Sequence, residues 1–287
     1  MINVGEGAGV LDSWRAWWER ERRRPTGGSP AARAFQIYRR RDVLWMLVAR
    51  DLKRKYATSY LGYVWTLLEP ALLITVYWTV FAHVARLGIK DYLLFLALGV
   101  LPFQWFRSSV NGGSGVLSGN SKLISSINLP REIYPLSLVL TKSVEFLFTL
   151  PIIAVVALAY GKTPDVLLVL FPVALLLELL LNLGLALLLS AWTTLFRDLE
   201  RALTSILRLL FYLSPILYPT GRVPGIGRWF FELNPLVGII EMYRASFFDN
   251  ATLSAHVIAV SVVGALLAFI GGWYAFIRME PNVLKEL

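Results

Sequence analysis

Apolar runs long enough to cross a bilayer limit this chain more than any other feature. A span needs about 20 nearly uninterrupted apolar residues to cover roughly 30 Å of hydrocarbon, whereas a soluble domain scatters them at helix or strand periods. Six segments meet or approach that length: 61–86, 92–110, 137–160, 166–195, 201–219 and 253–277. The expected fold class is therefore an all-α integral membrane protein with six transmembrane helices. Hydrophobic residues make up 56% of the chain; their clustering, more than their number, carries the assignment.

The 28 Lys and Arg residues and net charge of +9 would point to nucleic acid in a soluble protein. Their placement explains them differently. With the N-terminus in the cytoplasm, 22 of the 28 fall on the inner side and 6 on the outer side, around 86–90, 162 and 222–244. An excess of cations marks the cytoplasmic face, so both termini are placed there, and the even number of spans agrees. No nucleic-acid partner is expected.

Enzymatic chemistry finds little footing. The absence of cysteine removes disulfides, zinc–thiolate sites and thiol nucleophiles. The two histidines, His83 and His256, stand beside no candidate nucleophile or carboxylate in sequence and lie near the outer ends of spans. No catalytic residue and no metal site is expected. The segment NGGSGVLSGNSK, residues 111–122, is rich in glycine but lacks the Gly-Lys-Ser/Thr ending and preceding strand of a phosphate loop. Its Gly115 and Gly119 have the spacing of a close helix contact. No cleaved signal is expected, because Arg22, Arg23 and Arg24 are followed by Pro25 and the first long apolar run starts only near Leu61.

The first sixty residues divide at a PTGGSP hinge. Residues 1–38 form a basic cytoplasmic extension with a short amphipathic helix, in which Trp14, Trp17 and Trp18 share one face. Residues 39–58 form a second amphipathic helix, with Leu44, Val48, Leu52 and Tyr56 on one stripe and Arg50, Lys53 and Arg54 elsewhere. Such a helix either lies in the headgroup plane of an anionic leaflet or packs on a partner protein; the membrane span that follows closely favours the first. Between 222 and 248 the chain is apolar in two short pieces broken by Asn234 and Pro235. They form either two re-entrant helices dipping from the outer face or two helices lying flat on it.

Glu69, Lys142, Glu145, Glu178 and Arg208 fall inside expected spans. Each costs at least about 2.5 kcal/mol to insert, so such groups face the bundle interior or water. Lys142 and Glu145, three apart on a helix, are expected to neutralise each other. The others serve either buried pairing or transport; the line of carboxylates or histidines that a proton relay needs is missing.

Four stretches carry a family resemblance: RDVLWMLVARDLKRKYATSYLGYVWTLLEPALLITVYWTVF, SSINLPREIYPLSLVLTKSVEFLF, FRDLERALTSILRLLFYLSPILYP and ELNPLVGIIEMYRASFF. In order and spacing, from about Arg39 to Ile277, the chain resembles the permease subunits of type-2 ABC exporters for polysaccharides and polyol phosphates. The resemblance implies a six-span permease domain at 59–277 and a cytoplasmic tail at 278–287. It implies a homodimer that binds two copies of a separate ABC ATPase in a bacterial plasma (inner) membrane. No cofactor belongs to this chain; ATP and Mg sit in the partner ATPase. The cargo it implies is a lipid-linked polysaccharide that leaves through a channel at the dimer axis.

Residue by residue, the resemblance makes 119–132 the coupling helix that seats in the ATPase, with Ile127, Asn128, Leu129, Pro130, Arg131 and Glu132 at the contact. The prolines stiffen the segment, and the Arg131 guanidinium can grip a carboxylate bidentately; without a partner the same residues make a plain cytoplasmic turn. Segment 222–248 becomes the pair of re-entrant helices at the exit, with Trp229, Phe230, Asn234 and Pro235 as gate residues. Arg50, Lys53 and Arg54 would meet the pyrophosphate of the lipid carrier at the inner leaflet. Trp65, Tyr77 and Trp78 on the first span and Phe211, Tyr212 and Tyr218 on the fifth are candidate channel-lining aromatics, with ordinary interface anchoring as the alternative. The Arg-rich extension favours a cell-wall galactan of actinobacterial type, with O-antigen, capsule and teichoic acid open. Rival functions are export of small hydrophobic compounds, a membrane-embedded glycosyl- or acyltransferase, and an ion-coupled secondary transporter.

Overall fold

The structure is a computed structural model that describes residues 30–56, 62, 64–86, 88–126, 129–162, 166–222, 231–248 and 254–286. Every regular element among them is helical. Helices α1 (Pro30–Arg39) and α2 (Arg41–Tyr56) precede α3 (Val64–Trp78), which continues as a π-helical stretch over Thr79–Val84. Then follow α4 (Tyr92–Gly119), the short α5 (Ser121–Ser126), α6 (Ile133–Ala159), α7 (Leu170–Leu195), α8 (Asp198–Leu213), α9 (Pro235–Ala245) and α10 (Ala255–Glu286).

Five helical segments are long and apolar enough to cross a membrane: Val64–Val84, Tyr92–Gly119, Ile133–Ala159, Leu167–Leu195 and Ala255–Val283. The expected second span, 92–110, lengthens, because residues 111–119 continue α4. The expected fifth span is α8, an amphipathic helix of 16 residues, about 24 Å long at 1.5 Å per residue. Its buried face is Leu203, Leu207 and Phe211, spaced by four. That face runs antiparallel along α4. Glu200 lies against Gly115, Thr204 bonds Asn111, Phe211 packs on Phe103, and beyond the helix end Leu217 accepts from the Tyr92 hydroxyl. The stretch 198–217 thus covers nearly the same depth as α4, with turns at 214–217 completing what the helix leaves short.

Helix α4 is the hub. Of its most apolar window 78% is buried, against 11% for α3 and 17% for α10. Small residues set the close approaches. A Cβ on Gly113 of α4 would stand 2.8 Å from Ala186 Cβ of α7, and between α7 and α10 Cβ atoms on Gly184 and Gly272 would collide with the backbones of Ala268 and Gly184 respectively. Backbone contact of this kind holds helices together where lipid offers no hydrophobic gain. Gly115 and Gly119 do not make such a contact: Gly119 faces open space and Gly115 faces the Glu200 carboxylate. Helical phase turns Gly113, not this pair, toward α7.

Helix α9 lies antiparallel to α10, with Pro235 against Gly264 and Gly238 against Val257 and Ser261. Gly264 stands nine residues into α10, so α9 begins about 14 Å along α10 from its N-terminal end and runs back toward that end. The other half of the expected re-entrant pair lies largely outside the described residues.

On α2, the stripe assigned to the headgroup plane is partly covered by the chain itself. Val48 is buried, and Leu44 joins Val43 and Leu47 against Ile37, Leu129, Ile133 and Leu136. A different set, Phe35, Tyr38, Trp45 and Met46, is more than half exposed. Arg39 and Arg41 sit over the Phe35 and Tyr38 rings. Helices α1 and α2 therefore carry two apolar faces, one for the bundle and one suited to a headgroup plane. The packed body also starts before the expected boundary at Arg39, since Arg33 and Ile37 are buried, and α10 carries it through the supposed tail, where Glu280 and Val283 are buried. The short helix expected around Trp14–Trp18 lies outside the described residues.

Candidate functional site

Two groups of charges stand in the half of the bundle that holds the N-terminal ends of α3 and α6. The first closes the corner where α1, the loop before α6 and the end of α10 meet. Arg33 Nη1 lies 2.8 Å from Glu132 Oε1 and 2.5 Å from Glu280 Oε2. Arg131 Nε stands 3.9 Å from Glu280 Oε1. Glu132 is 0%, Glu280 2% and Arg33 5% exposed. Burial works against the Arg33 charge, but the hydrogen bonds and charges of Glu132 and Glu280 outweigh it and push its pKa above the ordinary value. Leu129 and Pro130 are buried beside this cluster. Of the expected coupling residues, Glu132 thus faces inward and Arg131 is mostly covered, while Ile127 and Asn128 lie outside the described residues.

The second group lines a cavity of about 390 Å³ between α3, α4 and α6, with Lys55 from the end of α2 at its edge. Lys142 and Glu145 pair at 3.1 Å, as their spacing predicts. Lys55 Nζ reaches the same carboxylate at 2.9 Å. Arg107 and Glu69 complete the charged lining, and Gln104, Ser108 and Asn111 supply neutral polar groups. The cation of α2 that reaches this cavity is therefore Lys55. Arg50 is held by Asp51 at 2.8 Å and by Asn120, while Lys53 and Arg54 are exposed.

The aromatic candidates separate into two sets. Tyr77 stacks on Phe211 with 5.7 Å between ring centroids, Tyr212 packs edge-on against Phe211, and the Tyr218 hydroxyl donates to the Tyr212 carbonyl. These four gather between α3 and α8. Trp78 instead packs on His83, and Trp65 is 47% exposed near the start of α3. Asn234 caps α9, its side-chain oxygen accepting from the Leu236 N–H at 3.0 Å, with Pro235 in the first turn. Trp229 and Phe230 lie outside the described residues.

Residues 42–248 match the family described as ABC-2 type transporter. The chain is 36% identical over 234 residues to the O-antigen export system permease protein RfbA of Myxococcus xanthus, covering 79% of this chain and 90% of that protein. It is 34% identical over 247 residues to a protein of the same name from Klebsiella pneumoniae, covering 86% and 95%. The polysialic acid transport protein KpsM of Escherichia coli is 24% identical over 207 residues, covering 69% and 78%. The chain belongs to the ABC-2 type transporter family.

The family match of this ABC-2 transporter begins after Arg33 and ends before Glu280. Arg33 nonetheless closes on Glu132, which lies inside it, and Glu280 joins the same cluster through Arg33. Sequence reasoning missed Arg33 and Glu280 because they sit in segments set aside as an extension and a tail. It also missed Arg107, whose signal was an Arg within polar QWFRSSVN in an otherwise apolar helix. Arg244, counted with the outer-side cations, is 2% exposed. Its guanidinium donates to the Pro215 and Ile216 carbonyls at 2.7 and 2.9 Å and lies over the Phe95 ring. The Glu241/Arg244 spacing by three was the available clue.

Proposed function

We propose that the chain is the membrane-spanning subunit of an ATP-driven exporter of lipid-linked polysaccharide. The observation that carries this reading is the identity of 36% and 34% to two O-antigen export permeases along nearly their whole lengths. The subunit works as a homodimer with two copies of a separate ATPase, which holds ATP and Mg. It sits in a bacterial plasma membrane with both termini cytoplasmic. Six crossings fit this topology, with 198–217 as the fifth, and α9 is the rising half of a re-entrant pair at the outer face. The gathered aromatics Tyr77, Phe211, Tyr212 and Tyr218 offer weak, repeated contacts to a sliding glycan, and a cell-wall galactan is one cargo of this kind.

Coupling to the ATPase runs through α5 and the loop leading to α6. Because Glu132 is enclosed, the exposed Lys122 is a cleaner probe than Arg131, whose reversal would put three carboxylates in one buried corner. Lys122→Glu lowers ATPase association while insertion stays intact; unchanged association and transport would refute that contact. The function itself is tested by reconstituting the chain with its co-purifying ATPase and measuring hydrolysis. Stimulation by lipid-linked glycan is expected, and a response to hydrophobic drugs alone would overturn the proposal.

A further inference from the structure

The charged cavity between α3, α4 and α6 is unlike the other polar features of the bundle, because its cations outnumber its carboxylates. Lys55, Lys142 and Arg107 face Glu69 and Glu145, and the Glu145 carboxylate is shared by both ammonium groups. Arg107 has no ion-pair partner among the described residues and is exposed. A planar guanidinium held beside amide and hydroxyl groups matches the geometry of phosphate oxygens. The volume, about 390 Å³, lies in the range of small-ligand sites, roughly 300–1,000 Å³. Arg107 stands about 22 Å along α4 from its outer end, on the cytoplasmic side of the midplane. Lys55 ties the cavity to α2, at the inner leaflet.

We infer that this cavity is an anion site that receives the phosphate-bearing end of a lipid carrier, with Arg107 as the bidentate contact. The inference rests on the polysaccharide-export reading for the identity of that carrier. Glu145 is an internal competitor: it holds Lys55 and Lys142 in place when the site is empty and yields them when phosphate enters. This gives the site a signed signature. Removing Arg107 weakens binding, whereas neutralising Glu145 strengthens it, which a loss of fold would not do.

The test uses the full chain in phosphatidylcholine nanodiscs, with a polyprenyl pyrophosphate as probe and phosphatidylglycerol as the bulk-lipid comparison. Arg107→Gln is expected to weaken polyprenyl pyrophosphate binding about tenfold or more. Glu145→Gln is expected to tighten it by about threefold, Arg107→Lys to recover part of the loss, and Lys285→Gln, far from the cavity, to change nothing. Wild-type binding that neither Arg107→Gln nor Glu145→Gln alters would overturn the site and leave the export reading standing. Equal effects on phosphatidylglycerol would overturn it in favour of a general headgroup site. A wild type that binds no polyprenyl pyrophosphate would overturn the export reading, and the site with it.

Discussion

The corner around Arg33 and the cavity around Arg107 are built from the same residue types and differ in closure. At the corner two arginines meet two glutamates, and Arg33, Glu132 and Glu280 are each no more than 5% exposed. In the cavity three cations meet two carboxylates, and the side chains of Glu145, Lys142 and Lys55 are 13%, 22% and 46% exposed. A buried charge left alone is expensive, so a matched and enclosed set acts as a lock between segments. An unmatched and open set has little to hold and a charge to offer. Enclosure and charge balance together, and not the presence of charge, separate a structural cluster from a ligand site in this bundle.

Breaking the lock is expected to have the largest effect. Arg33→Ala or Glu132→Ala leaves a buried charge without its partner and lowers stability by about 3–5 kcal/mol, read as a fall in thermal unfolding temperature and folded yield in detergent. Replacing Arg33, Glu132 and Glu280 together by Met, Leu and Leu restores most of that loss, because the charge left at the corner, Arg131, has a side chain still 14% exposed that can turn to water. If the triple variant is as unstable as the singles, the corner is held by packing and the contrast fails. Arg244 asks whether enclosure matters independently of position, since it is equally buried at the opposite end of the bundle. Arg244→Met strips the donors from two carbonyls and costs a smaller amount, about 1–3 kcal/mol in total. Arg107→Gln should leave stability within about 0.5 kcal/mol, as for an ordinary exposed site, while lowering transport about tenfold through the lost phosphate contact. A stability loss there equal to that of Arg33→Ala would erase the distinction.

Much of the spanning architecture was legible because lipid demands continuous apolar length, and five of the expected spans are such helices. Helix α8 was harder, being short and amphipathic; only its pairing with α4 from Gly115 to Tyr92 shows how deep the segment runs. The Lys142/Glu145 pair was legible because it is local. Arg33 was not, since its partners lie 99 and 247 residues away and no periodicity encodes such distances. The stripe on α2 was read correctly as apolar, yet its cover is the same chain: an amphipathic helix at a bilayer surface shows the same pattern whether lipid or protein meets it. Gly115 and Gly119 misled for a related reason, as spacing reveals that two glycines share a face without saying which helix lies opposite. The cavity needed the structure most, because Lys55, Arg107 and Lys142 come from three helices.

Lys55 gives the smallest expected effect and the finest test of the contrast. Its side chain is 46% exposed, so solvent screens the attraction to Glu145, and an exposed pair of this kind contributes about 0.2–1 kcal/mol. Lys142 stays within 3.1 Å of the same carboxylate, so Lys55→Gln leaves Glu145 compensated and the fold intact. The cavity nevertheless loses one of three cations, and affinity for a phosphate-bearing lipid should fall about two- to threefold, with a weaker dependence on salt as one ionic contact disappears. Thermal unfolding and a salt titration of lipid binding on one protein sample measure both sides. Were Lys55→Gln to destabilise the fold as strongly as Arg33→Ala, the cavity would be a second lock, and the excess of positive charge in it would need an internal partner.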